Sequence, residues 1–297
     1  MTESPAATRL ATRRLVVQAV LRTDVGKVRS ENQDFGALTT PKEESGSPAG
    51  GRLLIVADGM GGHRGGATAS RIATETVKAQ YLGSETKDVA TALHDALTRA
   101  NARVYSESQT NPDLRGMGTT TSALVIRGTE GWFAHVGDSR IYMVRGDAVK
   151  QLTEDHSLVA VMVREGLLTA AEAENHPRRN VLQRSIGVGE EVDIDIRGPI
   201  ELQENDTFVL CSDGLHGLVK ENEIKDIAKL PIQQAANDFV KLALERGAPD
   251  NVTVIVARIV RADQLGEETL IDEKEGDRSL FEETMKDHEV ASLRQNH

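Results

Sequence analysis

Residues 53–66 read LLIVADGMGGHRGG. The first five residues are a short apolar run, which is typical of a buried β-strand. The run stops at Asp58, and the glycines that follow let the backbone turn sharply and approach other groups closely. Two helical patterns come next, with apolar residues three and four apart: Ala69, Ile72, Ala73, Val77 and Tyr81, then Val89, Leu93, Leu97, Ala100 and Val104. Each helix therefore needs an apolar surface to cover.

The other segments with a regular pattern lie on both sides of this stretch. Strand patterns cover residues 15–23, 34–38, 192–197, 206–211 and 251–260, together with a meander over 119–150. Helical patterns cover 221–229 and 231–246, and residues 157–177 look helical and irregular. Strands and helices do not alternate regularly, so a doubly wound parallel sheet is not expected. The arrangement that we favour is two packed antiparallel sheets with helices outside, although the element order alone does not establish it.

Composition and charge exclude several classes of protein. The length of 297 residues fits one large domain or two small ones. The net charge of −11 argues against nucleic-acid binding and against an anionic membrane surface as partner. No stretch approaches the ~20 apolar residues of a membrane span. The single cysteine, Cys211, excludes an internal disulfide, so the sequence predicts a cytoplasmic protein.

The two ends of the chain differ from its middle. Residues 1–12 are small and polar without periodicity, which predicts a disordered leader. Residues 13–260 carry the regular patterns and are predicted to form the folded domain. Residues 261–297 hold 11 acidic and 5 basic side chains and lack a sustained apolar stripe. We therefore predict an acidic, disordered tail.

Aspartates recur where strands begin or end. Each lies next to Gly, Ser, Asn or the strand itself, and the set is Asp34, Asp58, Asp138, Asp213 and Asp250. Taken singly, such dipeptides are ordinary turn sequences. Taken together, they form a set of short oxygen ligands of the kind that Mg²⁺ and Mn²⁺ prefer. Because clustered carboxylates repel one another, the set is best explained by cations bound among them.

The motifs around these aspartates resemble those of the metal-dependent protein phosphatases, the 2C-type Ser/Thr family, in its compact bacterial form. The matching segments are RSENQD (29–34), VADGMGGH (56–63), GMGTT (116–120), HVGDSRIY (135–142), LTEDHS (152–157), LQRSIG (182–187), LCSDGL (210–215) and DNVTVIV (250–256). They follow the family's order over roughly residues 15–260. The resemblance implies an α+β fold: a four-layer αββα sandwich of two antiparallel sheets flanked by helix pairs. A helical flap, over about residues 157–180, would lie beside the active site.

The resemblance also implies roles for individual residues. Two divalent cations, Mn²⁺ or Mg²⁺, would be held by Asp58, the Gly59 carbonyl, Asp213 and Asp250, and a water bridging them would attack the phosphorus directly. Asp34 would hold metal-bound water. Arg29 would bind the substrate phosphate, and His63 would be the general acid for the departing alkoxide.

Two further features follow from the same resemblance. Asp138 and Asp213 match a third, weaker metal site. Many family members have Glu where this chain has Gln33, so the affinity for the second metal is expected to be lower here.

The predicted substrates are phosphoserine and phosphothreonine proteins, including a Ser/Thr protein kinase. Two alternatives from other classes stay open. One is a catalytically silent binding module with a phosphatase-like fold, and the other is a metallohydrolase of small phosphoesters.

The tail carries EETLID (267–272) and EETMKD (282–287), in which Thr269 and Thr284 each precede an aspartate by three residues. This spacing suggests docking of a phosphothreonine-reading domain. A solvated tail with accidental similarity is the simpler interpretation.

Overall fold

The computed structural model describes residues 14–61 and 65–264. They belong to two compact units, and residues 17–259 form the larger one. Of the other unit, the structure describes residues 14–16 and 260–264, where the Ala262 N–H donates to the Arg14 carbonyl over 2.8 Å. Most of the predicted leader and tail, with Thr269 and Thr284, lies outside the described residues, as does His63.

The strands and helices follow the predicted order closely. The strands are β1 (Leu15–Asp24), β2 (Asp34–Leu38), β3 (Arg52–Met60), β4 (Gly118–Thr119), β5 (Thr121–Arg127), β6 (Glu130–Val136), β7 (Arg140–Arg145), β8 (Ala148–Gln151), β9 (Asp195–Glu201), β10 (Thr207–Cys211) and β11 (Val252–Arg261). The helices are α1 (Pro41–Glu44), α2 (Gly65–Leu82), α3 (Val89–Thr110), α4 (Leu158–Arg164), α5 (Ala170–Glu174), α6 (Asp213–His216), α7 (Glu221–Ile227) and α8 (Ile232–Glu245). Short 3-10 turns cover Pro112–Leu114 and Ala262–Gln264.

The strands form two antiparallel sheets. One has the order β1-β11-β10-β7-β8, and the other has the order β2-β3-β5-β6-β9, with β4 paired to the end of β3. Strand β3 carries apolar side chains on both faces, and each face is covered by another layer of the protein. Leu53 and Ile55 join the core beneath α2 and α3, whereas Leu54 and Val56, equally buried, point to the opposite side, where β3 contacts β10. The two sheets therefore pack face to face.

Helices cover both outer faces of this sandwich. Helices α2 and α3 pack against each other and against the sheet that contains β3. They do so through the predicted apolar residues, including Val77, Tyr81 and Leu97. The side chain of Asp88 caps α3 by accepting the Thr91 N–H over 2.8 Å. Helices α6, α7 and α8 bury apolar side chains such as Phe239 against β10 and β11. The predicted four-layer αββα sandwich is confirmed.

One local prediction differs from the structure, and another is confirmed in more detail. Residues 157–177, predicted to be helical and irregular, form two short helices, α4 and α5, because Gly166 between them has a positive φ of 72° that a helix does not allow. The strand predicted at 192–197 runs instead over β9 and passes through Pro199. Proline is tolerated there because β9 is an edge strand, where its missing N–H removes no hydrogen bond from the sheet.

The segment predicted to be a flap, residues 157–180, is joined to the sandwich on both sides. Before it, the His156 N–H donates to the Gly137 carbonyl over 2.7 Å, next to Asp138. After it, Ile186 pairs with Thr119 of β4. Because β4 is paired to the end of β3, both connections lie at the edge of the sandwich that holds the predicted site residues.

Candidate metal centre

The register between β2 and β3 sets Asp34 directly opposite Asp58. Directly opposite residues in an antiparallel pair point to the same face of the sheet, so the two carboxylates are neighbours. The backbone of Asp58 is held from the other side by Thr120, whose hydroxyl accepts the Asp58 N–H over 2.9 Å and whose N–H donates to the Asp58 carbonyl over 2.8 Å. The first predicted pair of site residues is therefore fixed by strand pairing.

Ser212 joins the two sheets at this edge. Its hydroxyl donates to Asp34 Oδ2 over 2.7 Å and accepts the Thr253 N–H over 3.0 Å. Ser212 follows β10 and precedes Asp213, so the same contact places Asp213 of one sheet near Asp34 of the other. Ser212 lies within the LCSDGL motif, and its role as a bridge between the sheets was not predicted from that motif.

Asp213 and Asp250 come together through a close backbone contact. A Cβ at Gly214 would collide with the Asn251 carbonyl, so the turn after β10 packs directly on the start of β11. Burial raises the pKa of Asp213, and the charge of Asp250 raises it further, although hydrogen bonding to Asp58 and the charge of Arg29 act in the opposite direction. The pKa of Asp213 is therefore raised by burial first and by its neighbouring carboxylate second.

The pKa values of the other carboxyl groups indicate the same crowding. Burial raises the pKa of Asp34 to about 7, with smaller contributions from the charges of Asp213 and Asp250. Burial also holds the pKa of Asp58 well above its usual range. Four other carboxylates raise it further, those of Asp34, Asp213, Asp138 and Asp250. Asp58 therefore lies at the centre of a cluster of negative charge.

Arg29 lies at the border of this cluster. Its Nη2 donates to Asp250 Oδ2 over 2.6 Å, and about half of the Arg29 side chain is exposed. This hydrogen bond raises the pKa of the guanidinium group. The predicted phosphate-binding arginine is thus beside the predicted metal ligands, with exposed surface from which it can meet a solute.

Asp138 occupies the flap side of the cluster. Burial, followed by the charges of Asp213 and Asp155, raises its pKa to about 8. His216 Nε2 lies 2.9 Å from the Asp138 carbonyl, which can only accept, so Nε2 carries the proton. Burial lowers the pKa of His216 to about 3, which keeps the ring neutral. The contact of His216 with Asp138 was not predicted from the sequence, because His216 lies outside the quoted motifs.

The donor set suits hard divalent cations. Its side-chain donors are carboxylate oxygens, and Asp34 Oδ1 is buried with no hydrogen-bond partner among the described residues. A Cβ at Gly59 would collide with the Gly66 carbonyl, so no residue with a side chain fits at this position. Across residues 14–61 and 65–264, no three Asp, Glu, His or Cys side chains already form a metal-binding group. The aspartates are therefore neighbours that a cation would draw closer.

Comparisons with known proteins support the same class. The family model of protein phosphatase 2C matches residues 29–252. The serine/threonine phosphatase stp of Listeria innocua serovar 6a is 36% identical over 246 residues, which are 81% of this chain and 95% of the relative. This chain belongs to the protein phosphatase 2C family, as its motifs predicted.

Two solved structures have a similar fold. Stp1 from Staphylococcus aureus aligns with a TM-score of 0.75 and 31% identity, over 82% of this chain and 95% of that one. The catalytic domain of the serine/threonine protein phosphatase PstP, in complex with 2 manganese ions, aligns with a TM-score of 0.71 and 33% identity, over 83% and 99%. Among the described residues, no helix is long and apolar enough to cross a membrane.

Proposed function

We propose that this chain is a metal-dependent protein serine/threonine phosphatase that hydrolyses phosphoserine and phosphothreonine in other proteins. The observation that carries the proposal is the cluster of aspartates from both sheets, with raised pKa values and a partly exposed arginine at its border. A phosphate monoester is dianionic and needs positive charge around it. Arg29 supplies one charge, and the carboxylates are suited to hold the cations that supply the rest.

The metal-holding residues would be Asp58, the Gly59 carbonyl, Asp213 and Asp250. Bound Mn²⁺ or Mg²⁺ would lower the pKa of water and neutralise charge on the phosphoryl oxygens. Asp34 would accept a hydrogen bond from water through Oδ1, which has no hydrogen-bond partner in the described part of the chain. Asp138 and Asp213 remain the candidates for a weaker third site.

Arg29 would bind the substrate phosphate. Its Nη2 now contacts Asp250 Oδ2, so part of the guanidinium must turn from this carboxylate to the phosphate when substrate binds. His63 remains the predicted general acid, which would protonate the departing Ser or Thr oxygen.

The natural substrates would be phosphoproteins, among them a Ser/Thr protein kinase of the same cell. The similarity to proteins named Ser/Thr phosphatases supports this class of substrate. Cys211 is buried, and burial raises the pKa of its thiol to about 12, so it is not suited to act as a nucleophile. The cytoplasm is the proposed location because this single thiol needs no oxidising compartment.

The first test is phosphate release from a phosphothreonine peptide with Mn²⁺, with Mg²⁺ and with a chelator. We expect release that needs metal and that is lost in Asp213→Ala. The matched control is Asp147→Ala, because Asp147 is an aspartate whose side chain is 95% exposed. No release by the unmodified protein with either metal would overturn the proposal and favour a silent binding module. Competition between the peptide and an aryl phosphate tests the small-phosphoester alternative.

A further inference from the structure

The loop between β1 and β2, residues 25–33, carries Arg29 and packs against the start of β11. The Lys27 N–H donates to the Ala248 carbonyl over 2.9 Å. Gly26 has a φ of +78°, and a Cβ on it would collide with the Asp250 carbonyl. The loop therefore touches the backbone of a proposed metal ligand directly, and its position decides where Arg29 lies.

One side chain holds this loop at both ends. Asn251 Oδ1 accepts the Gln33 N–H over 2.8 Å, while Nδ2 donates to the carbonyls of Val25 over 2.9 Å and Glu31 over 3.0 Å. Only 4% of Asn251 is exposed. The partners fix the orientation of the amide, since the two carbonyls require donors and the N–H requires an acceptor.

The same residue also contacts Asp250. The Asn251 backbone N–H donates to Asp250 Oδ1 over 2.9 Å, while Arg29 contacts Asp250 Oδ2. The side chain of Asn251 thus hydrogen-bonds to the loop, and its backbone N–H hydrogen-bonds to the carboxylate of Asp250. A substitution at this position removes the first set of contacts and keeps the second.

We infer that Asn251 is a positioning residue that sets Arg29 at the correct distance from Asp250, so that one phosphate can meet the arginine and the metal ligands together. This inference rests on the proposed function. Asparagine is suited to this role because a short side chain with one acceptor and two donors matches the three loop groups. Aspartate would lose both donors, and alanine would remove all three hydrogen bonds to the loop backbone.

A second asparagine offers a matched control. Asn101 is 2% exposed, and its amide also makes three backbone hydrogen bonds: Oδ1 accepts from Gly187 over 2.7 Å, and Nδ2 donates to Gly189 over 3.1 Å and Glu190 over 2.9 Å. It holds a loop that does not carry Arg29. Comparing the two variants therefore separates the loss of a buried amide from the loss of a positioned arginine.

The experiment measures KM and kcat for a phosphothreonine peptide, inhibition by inorganic phosphate, Mn²⁺ affinity and the melting temperature. We expect Asn251→Ala to raise KM and the phosphate inhibition constant by ~10-fold or more. Its Mn²⁺ affinity should change far less, because the backbone N–H to Asp250 remains. Asn101→Ala should lower the melting temperature to a similar extent and leave KM near that of the unmodified protein.

A double-mutant cycle tests the route of the effect. In an Arg29→Ala background, Asn251→Ala should raise KM little further, because the group that it positions is already gone. If Asn251→Ala folds poorly, Asn251→Ser is used, and KM stays informative because it does not depend on the folded fraction. An unchanged KM in a folded Asn251 variant, or additive effects with Arg29→Ala, would overturn the inference. An inactive unmodified protein would instead overturn the proposed function.

Discussion

Two groups of aspartates in this protein face opposite surroundings. Asp155 lies against Arg140, with Nε 2.9 Å from Oδ1 and Nη2 2.7 Å from Oδ2. Burial alone would raise the pKa of Asp155, but Arg140 lowers it overall. Asp58 is also surrounded by protein, yet its neighbours are other carboxylates and its pKa is raised. Burial is common to both groups, so the difference comes from the counter-charge.

Aspartates paired with an arginine thus differ from the aspartates that are candidate metal ligands. Asp206 belongs with Asp155, because Arg145 contacts both of its oxygens, over 2.7 and 2.6 Å. The carboxylates near Asp58 have Arg29 at their border and otherwise face one another. A protein that keeps such a cluster loses stability by it unless cations bind there.

The largest effect is expected for Asp58→Asn. This substitution removes the central carboxylate, so kcat/KM should fall by ~10³-fold or more, which is several kcal/mol of transition-state stabilisation. In chelator the variant should resist unfolding better than the unmodified protein, because one of the mutually repelling charges is gone. Peptide kinetics and urea unfolding measure both. Activity within tenfold of normal would contradict the central placement of Asp58.

Asp155→Asn should lower the stability of the fold, whereas Asp58→Asn should raise it in chelator. It leaves the Arg140 charge without its partner in a site where the two side chains are 25% and 13% exposed, which costs about 3 kcal/mol. The loss should appear in urea unfolding with and without metal. Glu245→Gln is the control, because its exposed i,i+4 pair with Lys241 contributes under about 0.5 kcal/mol. Equal losses of unfolding free energy in Asp155→Asn and Glu245→Gln would show that the Asp155–Arg140 pair does not stabilise the fold more than an exposed pair does.

The two groups also predict opposite dependences on pH. The native pKa values of Asp34 and Asp138, about 7 and about 8, exceed the ~3.9 of an unfolded aspartate. Between these values the native state binds more protons than the unfolded state. The cluster therefore lowers stability in chelator as pH rises from about 4 to about 8.

The lowered pKa of Asp155 acts the other way, and its contribution is lost as pH falls below about 4. Thermal unfolding across this range, with chelator and with Mn²⁺, tests both statements. Bound Mn²⁺ should abolish the fall in stability that is expected in chelator as pH rises from about 4 to about 8. The same slope with and without Mn²⁺ would show that the cluster does not bind the cation.

The smallest effect is expected for Gln33→Glu. Gln33 adjoins Asp34, and its backbone carbonyl accepts the Gly59 N–H over 3.0 Å. An added carboxylate should strengthen Mn²⁺ binding by a few-fold, which is under about 1 kcal/mol, and leave kcat at saturating metal nearly unchanged. Titration of activity with Mn²⁺ measures it. Weaker activation by Mn²⁺ in this variant would show that Gln33 is not the cause of the lower metal affinity that the family pattern predicts.

Most of the fold could be predicted from the sequence, because strand and helix periodicities are local properties of the chain. The apolar run at 53–57 and the two helical stripes led to the correct layers. The strand bounds predicted at 192–197 were wrong, because the pairing of an edge strand decided where β9 runs. In the irregular helical segment over 157–177, the conformation of Gly166 decided where the helix is interrupted. Neither the edge position nor the glycine conformation is visible in a hydrophobic pattern.

The residue types of the candidate site were also visible, because carboxylates at strand ends and the motifs around them are written in the sequence. Their proximity was not. It depends on the β2–β3 register that pairs Asp34 with Asp58, on Ser212 bridging two sheets, and on Asn251 holding a loop more than two hundred positions away. His63, outside the described residues, stays a prediction from its motif.

The sequence by itself therefore determined the family through its motifs, and with the family the expected layers and the chemical character of the site. Only the tertiary structure decided which aspartates receive a counter-charge and which remain crowded together. The physical reason is that a pKa depends on the charges across a few ångströms of space, and those charges come from strands far apart along the chain.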